Sequence, residues 1–176
     1  MRDTIIHAMT IDHEMLGRRI VLTSDMKWIV NEQRLGFVAT VSADGSPSVS
    51  PKGTFVVIDD EHIAFADIRS PGMIENLRAN PSVEVNFVDP FVRKGYRFKE
   101  SASIAEPESD TFVSCWPLFE RYGALCDKIN IIVMIYVTRA LPVITLAYDI
   151  GSTEDDLRGS WTSHFRKLQP SETFQE

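Results

Sequence analysis

Asp44-Gly45 stands between two short β-branched runs, residues 36–42 and 48–58. An Asp-Gly pair in that setting supplies the positive φ angles of a tight hairpin turn, and this fixes the style of the chain from its first third. Further runs follow quickly. Asp59-Asp60 turns the chain into residues 62–67, residues 82–88 come next, and Asp89-Pro90 bends toward 96–104, where Tyr96 and Phe98 alternate with Arg97 and Lys99. Residues 128–138 make the longest apolar strand, and 142–148 reads as another. Pro51 and Gly53 interrupt the run 48–58, marking an edge, a bulge or a close approach to the backbone. Strands this closely spaced predict a mainly β protein with flanking helices, a closed or partly closed barrel of about six strands.

Helical patterns fill the gaps. Residues 24–34 start at Thr23 or Ser24, carry Asp25 at the positive end, and place Met26, Ile29 and Val30 on one face. Ser70-Pro71 opens a short helix with Met73, Ile74 and Leu77 inward, ended by Asn80-Pro81. A third stretch runs from Pro107 through Phe112, Trp116 and Phe119, kinked or shortened by Pro117. The last helix has Ser152 as its cap with Asp155 three residues on, and Leu157, Trp161, His164, Phe165 and Leu168 share a face. The expected division is an arm over 1–22, one barrel domain over 23–168 and a frayed tail over 169–176.

Lys and Arg total 18 against 25 Asp and Glu, a net charge of −7. That balance argues against nucleic acid and anionic membrane surfaces as partners. The apolar run 131–137 is too short to span a bilayer, and the broken apolar pattern around Arg2, Asp3 and His7 is unlike a signal peptide. Cys115 and Cys126 form no CxxC motif and read as reduced thiols, so a soluble cytoplasmic protein is expected. No metal site is expected. His7 and His13, beside Asp12 and Glu14, are spaced for neither a helix face nor a close chelate; His62 follows an acidic turn, and His164 sits on an apolar helix face. No residue stands out as a general acid or base.

The chemistry points to the junction Asp67-Ile68-Arg69-Ser70-Pro71-Gly72. A strand that runs into a helix N-terminus presents unpaired amides and a positive dipole end, which suits a phosphate. Ser70 adds a hydroxyl, Gly72 allows close approach, Arg69 offers a fork of donors, and Lys52 reaches the same region if the strands pair as a hairpin. The plain alternative is that Ser70 caps the helix and Arg69 is solvated.

The order of these segments carries a resemblance. LGFVATVSADGSPSVSPKGTF is followed by an acidic turn and IAFADIRS, then by a short helix ending in NLRANPSVEVNFVD, then by RKGYRFKE. Over residues 24–104 the chain resembles the pyridoxamine 5′-phosphate oxidase-like family of FMN-binding split β-barrels. The resemblance implies a homodimer with FMN in clefts that both subunits line. It implies that Pro51, Lys52, Gly53, Thr54 and Phe55 lie along the flavin, that Ala66 and Asp67 end the neighbouring strand, and that Gly72 and Met73 begin the phosphate-binding helix. Lys94 and Gly95 fall where the second subunit reaches the flavin.

The departures are specific. True pyridoxamine phosphate oxidases carry basic residues where this chain has Pro51, Gly72 and Met73, and a substrate-binding lysine where it has Val56. Val113, Pro117 and Arg121 do not reproduce the oxidase's tyrosine–arginine–serine pattern, and Glu100 replaces a glycine common in the barrel. Lys52, Arg69 and Ser70 are the replacement cradle. The expectation is therefore an FMN-dependent oxidoreductase acting on an unspecified small molecule and reductant, outside vitamin B6 synthesis. F420 (served by Arg93, Lys94 and Arg97), haem, or flavin binding without catalysis are the alternatives.

Overall fold

The computed structural model describes residues 22–169. The expected arm, apart from Leu22, the tail beyond Gln169, and His7 and His13 lie outside the described residues. Helix α1 (Ser24–Gln33) is capped by the Thr23 hydroxyl, which accepts the Met26 N–H, and buries Ile29 and Val30. Then come β1 (Gly36–Val41), β2 (Pro47–Lys52), β3 (Phe55–Val57), β4 (His62–Asp67), α2 (Pro71–Ala79), β5 (Ser82–Asp89), β6 (Lys94–Ala105), α3 (Asp110–Phe119), a 3-10 stretch (Glu120–Lys128), β7 (Ile131–Ile144) and α4 (Glu154–Leu168).

The strands form one antiparallel sheet in the order β2-β1-β5-β6-β7-β4-β3. Its two edge strands are consecutive in the chain. Only Gly53 and Thr54 separate Lys52 of β2 from Phe55 of β3, and three Cα steps span at most about 11 Å. The sheet must curl until the end of β2 meets the start of β3, and this makes the half-barrel of a split-barrel fold. Mainly β with flanking helices is thus the observed class, with seven strands among the described residues. The strand boundaries differ from the expected runs in two places. The run 48–58 breaks at Gly53-Thr54 and changes edge, while the runs 128–138 and 142–148 are joined into one strand, β7, that ends at Ile144; Leu146–Tyr148 is a 3-10 turn behind a Thr145 cap rather than strand. A bulge reconciles β7 with β6: Lys99 opposes Arg139 and Glu100 opposes Val137, so Thr138 is extra, and its hydroxyl donates to the Glu100 carboxylate.

The barrel interior is filled by Val38, Phe55, Phe65, Phe87, Phe98 and Ile135 with one face of α1 and α2. Phe55 makes an edge contact with Phe87, with ring centroids 4.7 Å apart. A second cluster joins Val56, Ala64, Ala66 and Ile132 to Cys115 and Phe119 of α3, which covers the outer face at the β3–β4–β7 end. Helix α3 starts at Asp110 behind a Ser109 cap, later than Pro107, and runs through Pro117 to Phe119. Helix α4 is capped by Thr153, one residue beyond Ser152, because Thr153 and Asp156 complete a reciprocal box.

Candidate functional site

The end of β2 and the end of β4 meet across the seam where the sheet closes. Lys52 Nζ lies 3.1 Å from Asp67 Oδ1, and both side chains are buried. The same ammonium donates to the Ser70 hydroxyl. Asp67 also accepts the Ser70 N–H through Oδ2 at 3.2 Å, so one carboxylate fixes both the lysine and the turn into α2. Ser70 therefore makes no side-chain cap; its hydroxyl is turned to Lys52. Pro71 opens the helix, and the first-turn amides of Gly72 and Met73 have no carbonyl of their own helix to bond.

Neighbouring bonds hold the seam rigid. The Thr54 hydroxyl donates to the Ala66 carbonyl at 2.6 Å. Asn130 donates its backbone N–H to the Asp67 carbonyl at 3.0 Å and its side-chain Nδ2–H to the Ile68 carbonyl at 2.9 Å. Tyr122 donates its hydroxyl to the Phe55 carbonyl at 2.5 Å, and burial pushes its phenol pKa up. Neither Asn130 nor Tyr122 carries a sequence signal for this role, since both contacts bridge more than sixty residues.

The expected residues divide three ways. Lys52, Asp67 and Ser70 touch, with Thr54 and Ala66 bonded beside them, while Pro51, Gly53, Arg69 and Gly72 are exposed around them. Space in front of Gly53 and Gly72 is open, with no atom within 4 Å of where a Cβ would stand. Phe55, Ala66 and Met73 turn their side chains into the core, which leaves them only backbone groups to offer a ligand. Lys94 and Gly95 are not brought to the cluster within one chain. Asp67 sits beside Ile131, at the Ala105 end of β6, whereas Lys94 opens β6, about 36 Å away along the strand. Gly95 is needed by the sheet itself, because a Cβ there would lie 1.9 Å from the Phe87 carbonyl oxygen.

The cluster carries two cations, Lys52 and Arg69, against one carboxylate, at the positive end of α2. Free first-turn amides, a hydroxyl and a glycine opening on solvent are what a phosphate monoester needs, so the residues fit the phosphate of a flavin mononucleotide. Among the described residues no group of three or more His, Cys, Asp or Glu is placed to hold a metal, and no helix is long and apolar enough to cross a membrane. His62 pairs with Asp59 at 2.9 Å, and His164 is exposed against the Trp161 ring.

The family model described as Pyridoxamine 5′-phosphate oxidase matches residues 22–142. No curated protein sequence matches. Among solved structures, HupZ of Group A Streptococcus is 28% identical, with TM-score 0.61 over 68% of this chain and 92% of its own. An FMN-binding protein from Syntrophomonas wolfei is 14% identical, with TM-score 0.58 over 71% and 88%. HutZ, the heme storage protein of Vibrio cholerae, is 22% identical, with TM-score 0.56 over 70% and 94%. The latter two likenesses are of fold.

Proposed function

The chain belongs to the pyridoxamine 5′-phosphate oxidase family, and on that premise we propose that it is an FMN-binding flavoprotein, an oxidoreductase acting on a small molecule. The observation that carries this reading is the buried Lys52 ammonium, held by Asp67 and Ser70 at an α2 N-terminus whose amides are free of a side-chain cap. The flavin would supply the redox chemistry, taking electrons from one partner and passing them to another.

The residues of the chain bind and orient. Arg69, the Gly72 and Met73 amides and the Ser70 hydroxyl are the donors for the phosphate, with Lys52 adding positive charge beneath them. The backbone of Pro51, Gly53 and Thr54 offers polar groups along the ring, and Thr54 is fixed by its bond to the Ala66 carbonyl. Asp67 sets Lys52 and Ser70.

A homodimer completes the reading. Lys94 and Gly95 are too far from Lys52 to serve the same flavin in one chain, so they serve a partner's. The outer face of β1 and β2 carries Phe37 opposite Pro51, Ala39 opposite Val49 and Val41 opposite Pro47, an apolar strip suited to a second copy. Phe37 and Val49 are about half exposed or more, at 48% and 63%. Next to Phe37, the Asn86 side-chain oxygen is buried without a partner. The cysteines Cys115 and Cys126 are free, which supports a cytoplasmic setting.

The test is the visible spectrum of freshly purified protein, with released ligand identified by mass. A two-banded flavin spectrum and an FMN mass support the reading. A Soret band identifies haem, a deazaflavin spectrum identifies F420, and a colourless protein that refuses added FMN ends the flavoprotein reading.

A further inference from the structure

Helix α4 is joined to the body in an unusual way. None of its residues is buried, so it is no part of either core. Its contacts converge on the turn between β5 and β6. Arg158 lies 3.8 Å from the Asp89 carboxylate, Phe165 packs edge-on against Phe91 at 5.4 Å, Trp161 takes the Arg93 guanidinium over its ring at 3.5 Å, and Glu154 lies 3.3 Å from Lys94 Nζ. Residues 154, 158, 161 and 165 form one helical stripe, so a single face of α4 matches four residues between 89 and 94. Arg93 is held in the left-handed region at φ 54°, which turns its side chain out of strand geometry. A cavity of about 160 Å³ lies under the contact, with Asp25, Trp28 and Tyr96 on its other wall.

The consequence concerns Lys94. Its ammonium is paired with Glu154 and rests 4.3 Å from the centre of the Tyr148 ring. Asp25, Asp89 and Glu154 all line this cavity, so its charge is offset by carboxylates on three elements. We infer that α4 is a clasp on the β5–β6 turn and that Glu154 is a positioning residue which holds Lys94 back from the flavin site of the partner subunit. The inference rests on the FMN-dimer reading above. An anionic cofactor competes with Glu154 for the Lys94 ammonium, and release of that ammonium strengthens binding.

Two measurements test it. FMN affinity is titrated for wild type, Glu154→Gln, Lys94→Met and the double variant. The expected result is affinity about threefold tighter in Glu154→Gln, the size of a partly exposed ion pair, with no gain in the double variant. A merely structural Glu154 gives no change or a loss, and a gain that survives Lys94→Met removes Lys94 from the mechanism; each overturns the inference. Independently of any flavin, the rate of Lys94 acetylation by an amine-reactive ester is measured by peptide mass against exposed Lys167. A rate about threefold higher in Glu154→Gln supports the clasp, and an equal rate overturns it. Failure of every variant to take up FMN removes the cofactor reading, and the acetylation rate alone then judges the clasp.

Discussion

Lys52 and Asp67 form a buried ion pair across the seam of the curled sheet, with Nζ 3.1 Å from Oδ1 and the side chains 8% and 5% exposed. Lys52 ends the edge strand β2, and Asp67 ends β4, one strand in from the other edge. Removing one member strands a charge in the interior. Lys52→Met is expected to cost about 3–5 kcal/mol, whereas Lys52→Met with Asp67→Leu recovers most of that loss. Urea unfolding of the two variants decides it; a single substitution that costs less than the pair would show that the seam admits water.

Arg69 is the exposed cation of the proposed cradle. Arg69→Glu places a negative charge before the free amides of α2. FMN affinity is expected to fall at least about tenfold, or about 1.4 kcal/mol, with stability unchanged. Fluorescence titration beside a thermal melt separates the two, and undiminished affinity would remove Arg69 from the site.

Gly95 is fixed by sheet geometry. A methyl group there meets the Phe87 backbone at 1.9 Å from the carbonyl oxygen. Gly95→Ala is expected to destabilise by about 3 kcal/mol, because backbone has to move. Thermal unfolding of the protein without ligand measures this, so the effect is separable from any role in flavin binding.

The start of α4 is pH-dependent. Hydrogen bonds from the Thr153 hydroxyl and N–H hold the Asp156 carboxyl below its ordinary value of 3.8. A carboxyl with a lowered folded pKa stabilises above its unfolded value, and that stabilisation is lost as pH falls through the folded one. The amides at the start of α4 are thus expected to lose hydrogen-exchange protection below about pH 4, before the barrel does. Asp156→Asn should show reduced protection already at neutral pH.

Phe37 is the largest side chain of the exposed strip on β1 and β2. The proposed dimer predicts that light scattering gives twice the chain mass for wild type and a single chain mass for Phe37→Glu. A monomeric wild type at concentrations where it is folded would end the two-subunit cleft.

Much of this was legible in residue order. Asp44-Gly45 marks the first hairpin, and the junction at Ser70-Pro71 marks the helix start that Lys52 reaches. Interior Pro51 and Gly53 marked the interruption, but a period-two pattern does not say which strands pair, so the change from one edge to the other was hidden. Likewise Pro142 suggested a fresh strand, whereas β7 continues through it opposite Tyr96 of β6, beyond the residues that pair with β4, where a missing amide hydrogen is tolerated. Phe55, Ala66 and Met73 lie at site positions by order and in the core by side chain. The contacts of α4 join residues about sixty to seventy-five positions apart, and no local spacing encodes such a match.

The crossing at Gly53-Thr54 bears on how copies of this protein avoid polymerising. An edge strand with a free row of amides templates aggregation. Here β2 contains Pro47 and Pro51, each without an amide hydrogen, and β3 is three residues long. The molecule can thus present the apolar face of β1 and β2 to a companion without offering an end to which further strands would add.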